Sequence, residues 1–266
     1  MIVPVALLVA SVELFGPRAV FQPPLANPRS PEFFAATEVT SGFTQFWVAM
    51  GARLPLVTWT PGLALPETLQ LQVALDGGIW SDLGRSGKKL DTYFPVFAAD
   101  YLAGLSFMAR YGGWSTDLEV AHISAHLVDG SFNLRPRIVY SREYWRWRLS
   151  RDFVFASGAS IRVYAGYGHM VRVLPRRIGD WMLGGGLEVV SQRVSWFRPF
   201  LAVDVTYNDD AKTTDLALQW GTFITRHDSE LVKVRLALEY YEGSDRRGQF
   251  LHDKLQRLTA GLYGRF

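Results

Sequence analysis

A histidine, a serine and a glutamate near the middle of the chain are residue types that together catalyse acyl transfer. His122 and Ser124 are two positions apart, and Ser141 and Glu143 repeat that interval further along. A serine hydroxyl attacks an ester carbonyl when an imidazole takes its proton and a carboxylate orients that imidazole. We assign candidate roles accordingly: Ser124 as nucleophile, His122 as general base, and Glu143, or alternatively Ser141, as the group that orients the imidazole.

Three further polar residues nearby are candidates for supporting roles: Ser141, His126 and Asp129. His126 follows His122 at an interval of four, so the two imidazoles could supply half of a metal site, although that interval on a strand lies outside easy reach. We therefore leave a bound metal open. The residues fix no cofactor, and calcium stays a candidate.

The residues around this pattern alternate at period two, which is typical of β-strands. Within 117–127, the two acidic residues occupy one face, and His122 and Ser124 occupy the other. Antiparallel partners keep a constant sum of residue numbers, so a hairpin that pairs His122 with Glu143 also pairs Ser124 with Ser141. Since strands lie about 4.8 Å apart and alternate residues roughly 6.6 Å apart, these groups can meet on one face.

The same alternation runs through most of the chain, in segments long enough to cross a bilayer as tilted strands. In the last segment Leu258, Leu262 and Phe266 share an apolar face, while Arg257 and Arg265 share the polar one. The predicted strands are 33–41, 44–54, 68–80, 100–112, 115–127, 142–155, 158–170, 179–191, 197–208, 213–226, 231–243 and 254–266. They predict an all-β fold, a transmembrane antiparallel up-and-down β-barrel of about 12 strands.

The polar faces of these strands carry charges of both signs, which would lie inside the barrel. Opposite charges across a narrow interior pair with each other and block water, so we expect a narrow or closed barrel rather than an open pore. The predicted interior charges are Asp76, Arg110, Asp117, Glu119, Arg146, Arg148, Asp152, Arg162, Glu188, Asp204, Lys233, Arg235, Glu239, Arg257 and Arg265.

The terminal Phe266 sets the expected direction of every strand. The last strand resembles the closing strand of bacterial outer-membrane barrels, which ends on an aromatic residue in the periplasm. With that end in the periplasm, His122, Ser124 and Glu143 fall in the outer half of the barrel, on its lipid-facing side. Short turns on the periplasmic side and long loops on the outer side fit this direction, with one exception, the Pro-rich connection 55–67.

Composition narrows the class of protein. The 266 residues are 48% hydrophobic and 14% aromatic, which suits aromatic belts at membrane interfaces, and no apolar stretch is long enough for a transmembrane helix. Cysteine is absent, which excludes disulfides and thiol catalysis, and a net charge of +3 spread along the chain argues against nucleic-acid binding. We predict three parts: 1–11 as an export signal peptide, 12–32 as a Pro-rich periplasmic leader or barrel plug, and 33–266 as the barrel.

Six stretches of the sequence resemble the domain-of-unknown-function 1207 family of bacterial outer-membrane proteins. They are 24–31 (PLANPRSP), 99–104 (ADYLAG), 122–129 (HISAHLVD), 141–143 (SRE), 162–166 (RVYAG) and 248–250 (GQF). Where the family pattern reads His-x-Ser-Ser-His-Leu-Gly-Asp-Glu, this chain has Ala125, Val128 and Gly130, and it keeps His122 and Ser124. The resemblance implies a Gram-negative outer-membrane protein and brings no established activity.

The His122-x-Ser124 pair also resembles that of two outer-membrane lipid hydrolases, phospholipase A and the lipid A deacylase. Both carry the pair on the outer face of a barrel strand, with Asn or Glu as a third member. The resemblance implies a serine acyl hydrolase that acts on esters of phospholipid or lipopolysaccharide. Its partners would be outer-membrane lipid and, during insertion, the barrel-assembly machinery.

Two non-catalytic functions stay open. The charged interior would suit a narrow channel or transporter, and the N-terminal segment would suit a structural barrel that binds a periplasmic partner. The polar residues around Ser124 would then form a rim or contact lipid headgroups, because charge on the lipid face costs only about 0–1 kcal/mol near an interface. The sequence does not define the oligomeric state.

Overall fold

The computed structural model describes residues 11–39, 45–63, 65–84, 95–128, 138–175, 179–194, 196–224, 232–250 and 253–266. Thirteen strands are numbered in chain order: β1 Ser11–Leu14, β2 Phe33–Glu38, β3 Gln45–Thr60, β4 Leu69–Gly84, β5 Val96–Tyr111, β6 Trp114–Leu127, β7 Tyr140–Val154, β8 Ser160–Leu174, β9 Trp181–Val190, β10 Arg198–Asn208, β11 Thr213–Phe223, β12 Lys233–Ser244 and β13 Lys254–Arg265. A turn of 3-10 helix, Gly248–Phe250, follows β12. Among the described residues, no helix is long and apolar enough to span a bilayer.

Strands β2 to β13 close into one antiparallel barrel, which confirms the predicted fold class. Each strand pairs with its neighbours in sequence, and the pairing of β13 with β2 closes the ring. β1 is an additional strand that pairs with the last residues of β3, from Ser11 opposite Thr60 to Leu14 opposite Val57. Ser11 is the last residue of the predicted export signal, so β1 spans the junction of the two predicted N-terminal segments.

The barrel wall has an apolar outer face and a charged inner face. Leu75 on β4 is 44% exposed, whereas the next residue, Asp76, is 1% exposed. Leu105 on β5 and Leu201 on β10 are likewise exposed, and the inward Asp204 on β10 is buried. This alternation is the arrangement of a transmembrane barrel, in which lipid covers the apolar face and polar side chains line the interior.

Ion pairs fill the middle of the interior. Arg53 binds Asp76 through two bonds, with Nε and Nη2 at 2.7 and 2.9 Å from the two carboxylate oxygens. Nη1 of Arg53 donates to Asp117 at 3.1 Å. Arg148 also pairs with Asp117 and donates to Glu119 at 2.8 Å. Because these residues come from β3, β4, β6 and β7, the network links strands up to four positions apart around the wall.

The inner segment, residues 17–32 between β1 and β2, contacts these inner-face residues. The backbone N–H of Leu25 donates to the Glu188 carboxylate at 2.7 Å. Arg235, which is fully buried, donates from Nη1 and Nη2 to the two carboxylate oxygens of Glu32, each at 2.9 Å. The interior is therefore occupied by chain as well as by wall side chains.

The two ends of the barrel have different connections. We call the end at which β13 finishes the C-terminal end, and the end at which β6 finishes the site end. At the C-terminal end, Gly112 and Gly113 connect β5 to β6, and Gly112 has a φ of 55°, a left-handed conformation that favours glycine. Within the ring of β2 to β13, the two longest connections, 85–95 and 128–139, follow β4 and β6, which both finish at the site end.

β3 is longer than the sequence predicts. The predicted strand ends at residue 54 and is followed by the Pro-rich connection 55–67, but β3 continues to Thr60. The register against β4 shifts between Pro55 and Val57. This β-bulge accommodates a proline, which has no N–H to donate, inside a long strand.

Candidate active site

β6 and β7 form the predicted hairpin at the site end. Their register pairs His122 with Glu143 and Ser124 with Ser141, as the constant sum of residue numbers predicts. These four residues lie on the lipid-facing side, because Ile123 between the histidine and the serine is buried toward the interior. Two adjacent rows of outward side chains result, one with the imidazole and the carboxylate, the other with the two hydroxyls.

The imidazole of His122 faces the carboxylate of Glu143. Nδ1 lies 3.7 Å from Oε1, and the two side chains are 48% and 41% exposed. This distance exceeds a hydrogen bond, and catalytic hydrogen bonds are often long until substrate binds. Since Nδ1 faces the carboxylate, Nε2 is the nitrogen left for Ser124, and the described residues form no hydrogen bond between His122 and Ser124.

Ser124 is flanked by outward side chains on both neighbouring strands. Tyr101 on β5 is paired with it on one side, and Ser141 on β7 on the other. His126, the next outward residue of β6, packs edge-on against Tyr101, with ring centroids 5.7 Å apart. Ser141 and His126 thus lie next to Ser124, whereas Asp129, the third predicted supporting residue, lies outside the described residues.

A charged residue that the sequence did not single out extends the row of His122 and Glu143. Arg172 on β8 is paired with Glu143, and its Nη1 lies 3.6 Å from the carboxylate Oε1 that also faces His122. One carboxylate oxygen therefore lies between an imidazole and a guanidinium on the lipid-facing surface.

The 3-10 helix holds the inner side of the wall behind Ser124. Gln249 Nε2 donates to the carbonyl oxygens of Ala125 and Ile138 at 2.6 and 2.9 Å, and its Oε1 accepts from the Ile138 N–H at 3.2 Å. This amide continues the pairing of β6 with β7 beyond Ala125, where their backbone ladder ends. The close approach needs Gly248, since a Cβ there would lie 2.6 Å from that of Ala125.

A buried carboxylate anchors both the 3-10 helix and the inner segment. Asp100 on β5 accepts from the backbone N–H of Gly248 at 3.0 Å and from Nη2 of Arg29 at 2.6 Å. Its side chain is 2% exposed. The inner face of β5, the strand next to β6, is therefore hydrogen-bonded to both the 3-10 helix and the inner segment.

Arg247 fixes the connection between β12 and β13 over the interior at the site end. It pairs with Asp82 and with Asp245. Burial opposes its positive charge, but the hydrogen bond to Asp245 and the charges of both carboxylates raise the pKa of Arg247 above its usual value. The guanidinium therefore stays charged, and the connection stays held in place.

The described part of the chain contains no group of three or more His, Cys, Asp or Glu residues arranged to bind a metal. Calcium takes about six to eight oxygen ligands. In the two rows around Ser124 the described side-chain oxygens are those of Glu143, Tyr101 and the two serines, which do not make up such a set.

The fold and these residues define a class of protein: a transmembrane β-barrel that carries a cluster of polar side chains at one end of its lipid-facing surface. The family described as "Protein of unknown function (DUF1207)" matches residues 6–266, and the chain belongs to that family. No protein with a curated description matches the chain.

Two solved structures are similar to the barrel. One is outer membrane phospholipase A from Escherichia coli, with 15% identity, a TM-score of 0.51, and coverage of 89% of this chain and 92% of that chain. The other is the Salmonella typhi outer membrane phospholipase dimer with bound calcium, with 15% identity, a TM-score of 0.51, and coverage of 89% and 93%. At this identity the likeness shows a shared outer-membrane barrel fold.

Sequence reasoning placed the outward residues but missed those that brace them from inside. The period-two pattern gives no role to a residue whose partner lies on a distant connection. The stretches that resemble the family did contain a signal, because they include each of these braces: Arg29, Asp100, Gly248 and Gln249.

Proposed function

We propose that this protein is an outer-membrane lipid acyl-ester hydrolase with Ser124 as nucleophile, His122 as general base and Glu143 as the orienting carboxylate. The observation that carries the proposal is the contact of His122 Nδ1 with Glu143 Oε1 at 3.7 Å, beside Ser124 on an exposed face. A carboxylate on Nδ1 leaves Nε2 to take the serine proton, which is the division of roles that nucleophilic serine catalysis requires.

The reaction follows from these positions. Ser124 Oγ attacks the ester carbonyl carbon while His122 Nε2 takes its proton, and the Glu143 carboxylate stabilises the imidazolium that forms. The tetrahedral intermediate collapses to an acyl-serine, and the leaving alcohol departs with the proton from His122. Water then attacks the acyl-serine with His122 again as base, which releases a fatty acid. Ser141 supplies a second hydroxyl beside the reacting carbonyl.

The lipid-facing position of the cluster supports a membrane substrate. Strands at the site end would reach the outer leaflet, with Phe266 in the periplasm, which places the scissile ester of an outer-leaflet phospholipid or lipopolysaccharide beside Ser124. Outward aromatic residues accompany the cluster, among them Tyr101 beside Ser124, and Trp181, which packs against Tyr207 with ring centroids 5.1 Å apart. Such side chains concentrate at membrane interfaces. An export signal and insertion by the barrel-assembly machinery belong to this proposal.

Fatty-acid release from phosphatidylethanolamine–phosphatidylglycerol vesicles by the purified protein tests the proposal. Ser124→Ala and His122→Ala should lower the rate by about a thousandfold or more. Ser115→Ala is the matched control, because Ser115 lies on the same strand but faces inward to Ser150. Heat-modifiable gel mobility checks that each variant is folded. Release by Ser124→Ala at the wild-type rate would exclude the mechanism. Parallel assays with calcium and with chelator test whether calcium contributes.

The occupied interior speaks against an open pore as the function. The inner segment and the Arg53 network lie across the lumen, and two cavities, of about 160 and 170 Å³, adjoin that segment near Asn27 and near Val20. A regulated channel, or a barrel that binds a periplasmic partner, would need the inner segment to move. Either function would leave vesicle lipids intact in the release assay.

A further inference from the structure

A β-bulge in β8 turns an arginine from the interior to the lipid-facing surface. Glu143 pairs with Arg172, but the next residue of β7 pairs with Met170, so Val171 is an extra residue in β8. Met170 is buried and Val173 packs against the interior cluster, whereas Val171 and Arg172 are exposed. Without the extra residue, Arg172 would share the inward parity of Met170. Bulges that re-aim a side chain in this way occur near functional sites.

The re-aimed guanidinium has free hydrogen-bonding capacity on the surface. Arginine has five N–H donors in a planar fork, and Arg172 engages Glu143 with a single contact at 3.6 Å. Its side chain is 63% exposed, and within the described residues Glu143 is its ion-pair partner. Most of the fork therefore faces outward, next to the row of His122.

Its position near the end of the wall is where lipid headgroups are expected. Arg172 lies two residues before the end of β8 at Leu174, and a charge near the end of a barrel strand is tolerated on the lipid face. An arginine fork binds phosphate through two parallel hydrogen bonds. Two strand spacings and one row separate Arg172 from Ser124, roughly 12 Å between Cα atoms, a span that an extended arginine and a glycerol backbone bridge together.

We propose that Arg172 binds the phosphate of a membrane lipid and so directs the site to phosphate-bearing lipids rather than to neutral glycerides. This inference rests on the proposed hydrolase function and deepens it, because it names the residue that selects phosphate-bearing substrates. The phosphate would sit at Arg172 while an acyl ester of the same lipid lies at Ser124.

The test compares two esters with the same acyl chains, dioctanoyl phosphatidylethanolamine and dioctanoylglycerol, on the purified full-length protein. Arg172→Gln should lower kcat/KM for the phospholipid at least tenfold and leave that for the diacylglycerol within twofold, and Arg172→Lys should fall between. Arg151→Gln is the matched control, because Arg151 faces lipid on β7 at the opposite end of the barrel, over Trp114. Equal losses on both esters would assign Arg172 to positioning Glu143 instead, and unchanged kcat/KM would remove it from recognition; either result overturns the proposal.

Binding separates this inference from the hydrolase proposal. In a Ser124→Ala background, equilibrium titration with dioctanoyl phosphatidylethanolamine should show saturable binding that Arg172→Gln weakens at least tenfold. Inorganic phosphate should bind far more weakly. If phosphate alone binds as tightly as the lipid, the lipid assignment is wrong. Arg172-dependent lipid binding without hydrolysis by the wild type would refute the hydrolase while retaining the phosphate site.

Discussion

Gln249 is the side chain whose removal most directly tests how the site end is held together. Its carboxamide makes three hydrogen bonds, one to Ala125, the last residue of β6 in the β6–β7 ladder, and two to Ile138, which lies beyond the end of that ladder. Gln249→Ala removes all three bonds and leaves the backbone fold otherwise intact. We expect the paired ends of β6 and β7 to separate more often, including the pairs that contain Ser124 and His122.

The magnitude follows from the number and setting of these bonds. Each contributes about 0.5–1.5 kcal/mol net, and the released backbone groups at the barrel end regain some water. The lower part of the range applies, so we expect a loss of about 2 kcal/mol in local stability. That corresponds to an increase of about 30-fold in the local opening equilibrium.

Hydrogen-exchange mass spectrometry in detergent micelles measures this quantity directly. Amide exchange near residues 121–128 and 138–144 should accelerate by about 30-fold in Gln249→Ala, while β10 and β11 stay unchanged. Gln256→Ala is the matched control, because Gln256 donates one exposed hydrogen bond to Tyr240 far from the hairpin. Unchanged exchange at the hairpin, or the same acceleration in every strand, would refute the bracing role.

Three further predictions concern the wall and the interior. Leu105→Arg, near the middle of β5 on the lipid face, should destabilise the barrel by about 2–4 kcal/mol in urea unfolding. Tyr111→Arg, at the end of the same strand, should destabilise it by about 0–1 kcal/mol, and equal losses in the two variants would contradict a bilayer centred on the middle of β5. A variant lacking residues 11–31 should give stable conductance steps in planar bilayers, where the full chain gives none. If neither protein conducts, the wall side chains alone close the lumen. Arg235→Met should destabilise by about 3–5 kcal/mol because it leaves the Glu32 carboxylate buried without its partner, and adding Glu32→Gln should recover most of that loss; a double variant as unstable as the single one would contradict this pairing.

The strands and their faces were predictable because each wall residue has only two environments. Lipid on one side and a polar interior on the other force strict alternation. The polarity of Leu75 and Asp76 therefore predicts that the first faces lipid and the second faces the interior. The β6–β7 register was also predictable, since a short polar set on one face had to meet across a hairpin. Only one register pairs His122 with Glu143 and Ser124 with Ser141 together.

Arg172 was not placed because the predicted strand ends at residue 170, and an extra residue reverses the parity that a longer strand would have predicted. Counting by twos along β8 from the inward Met170 assigns Arg172 to the interior, and only the bulge at Val171 moves it outward. A bulge adds one unpaired residue to a strand, and local amino-acid composition gives little indication of where it lies. The same limit applies to Pro55, where a second bulge lets β3 continue.

The contacts of the inner segment were beyond sequence reasoning for a different reason. Partners such as Glu32 and Arg235, or Arg29 and Asp100, are far apart in the chain, and a buried pair fixes its partner by three-dimensional position rather than by spacing. Proline content predicted a periplasmic leader or barrel plug over residues 12–32. It did not predict which charged residues of the interior would contact this segment.

The central claim is that Ser124 is a nucleophile activated by His122. A long-chain alkylsulfonyl fluoride tests it, because an activated serine oxygen forms a bond to sulfur as the S–F bond breaks and fluoride leaves, with the serine proton passing to the imidazole. Peptide mass spectrometry of the treated wild-type protein should find one sulfonyl adduct, on Ser124, and His122→Ala should reduce its rate of formation by about a hundredfold or more. An unmodified Ser124, or labelling at the same rate in His122→Ala, would contradict the account.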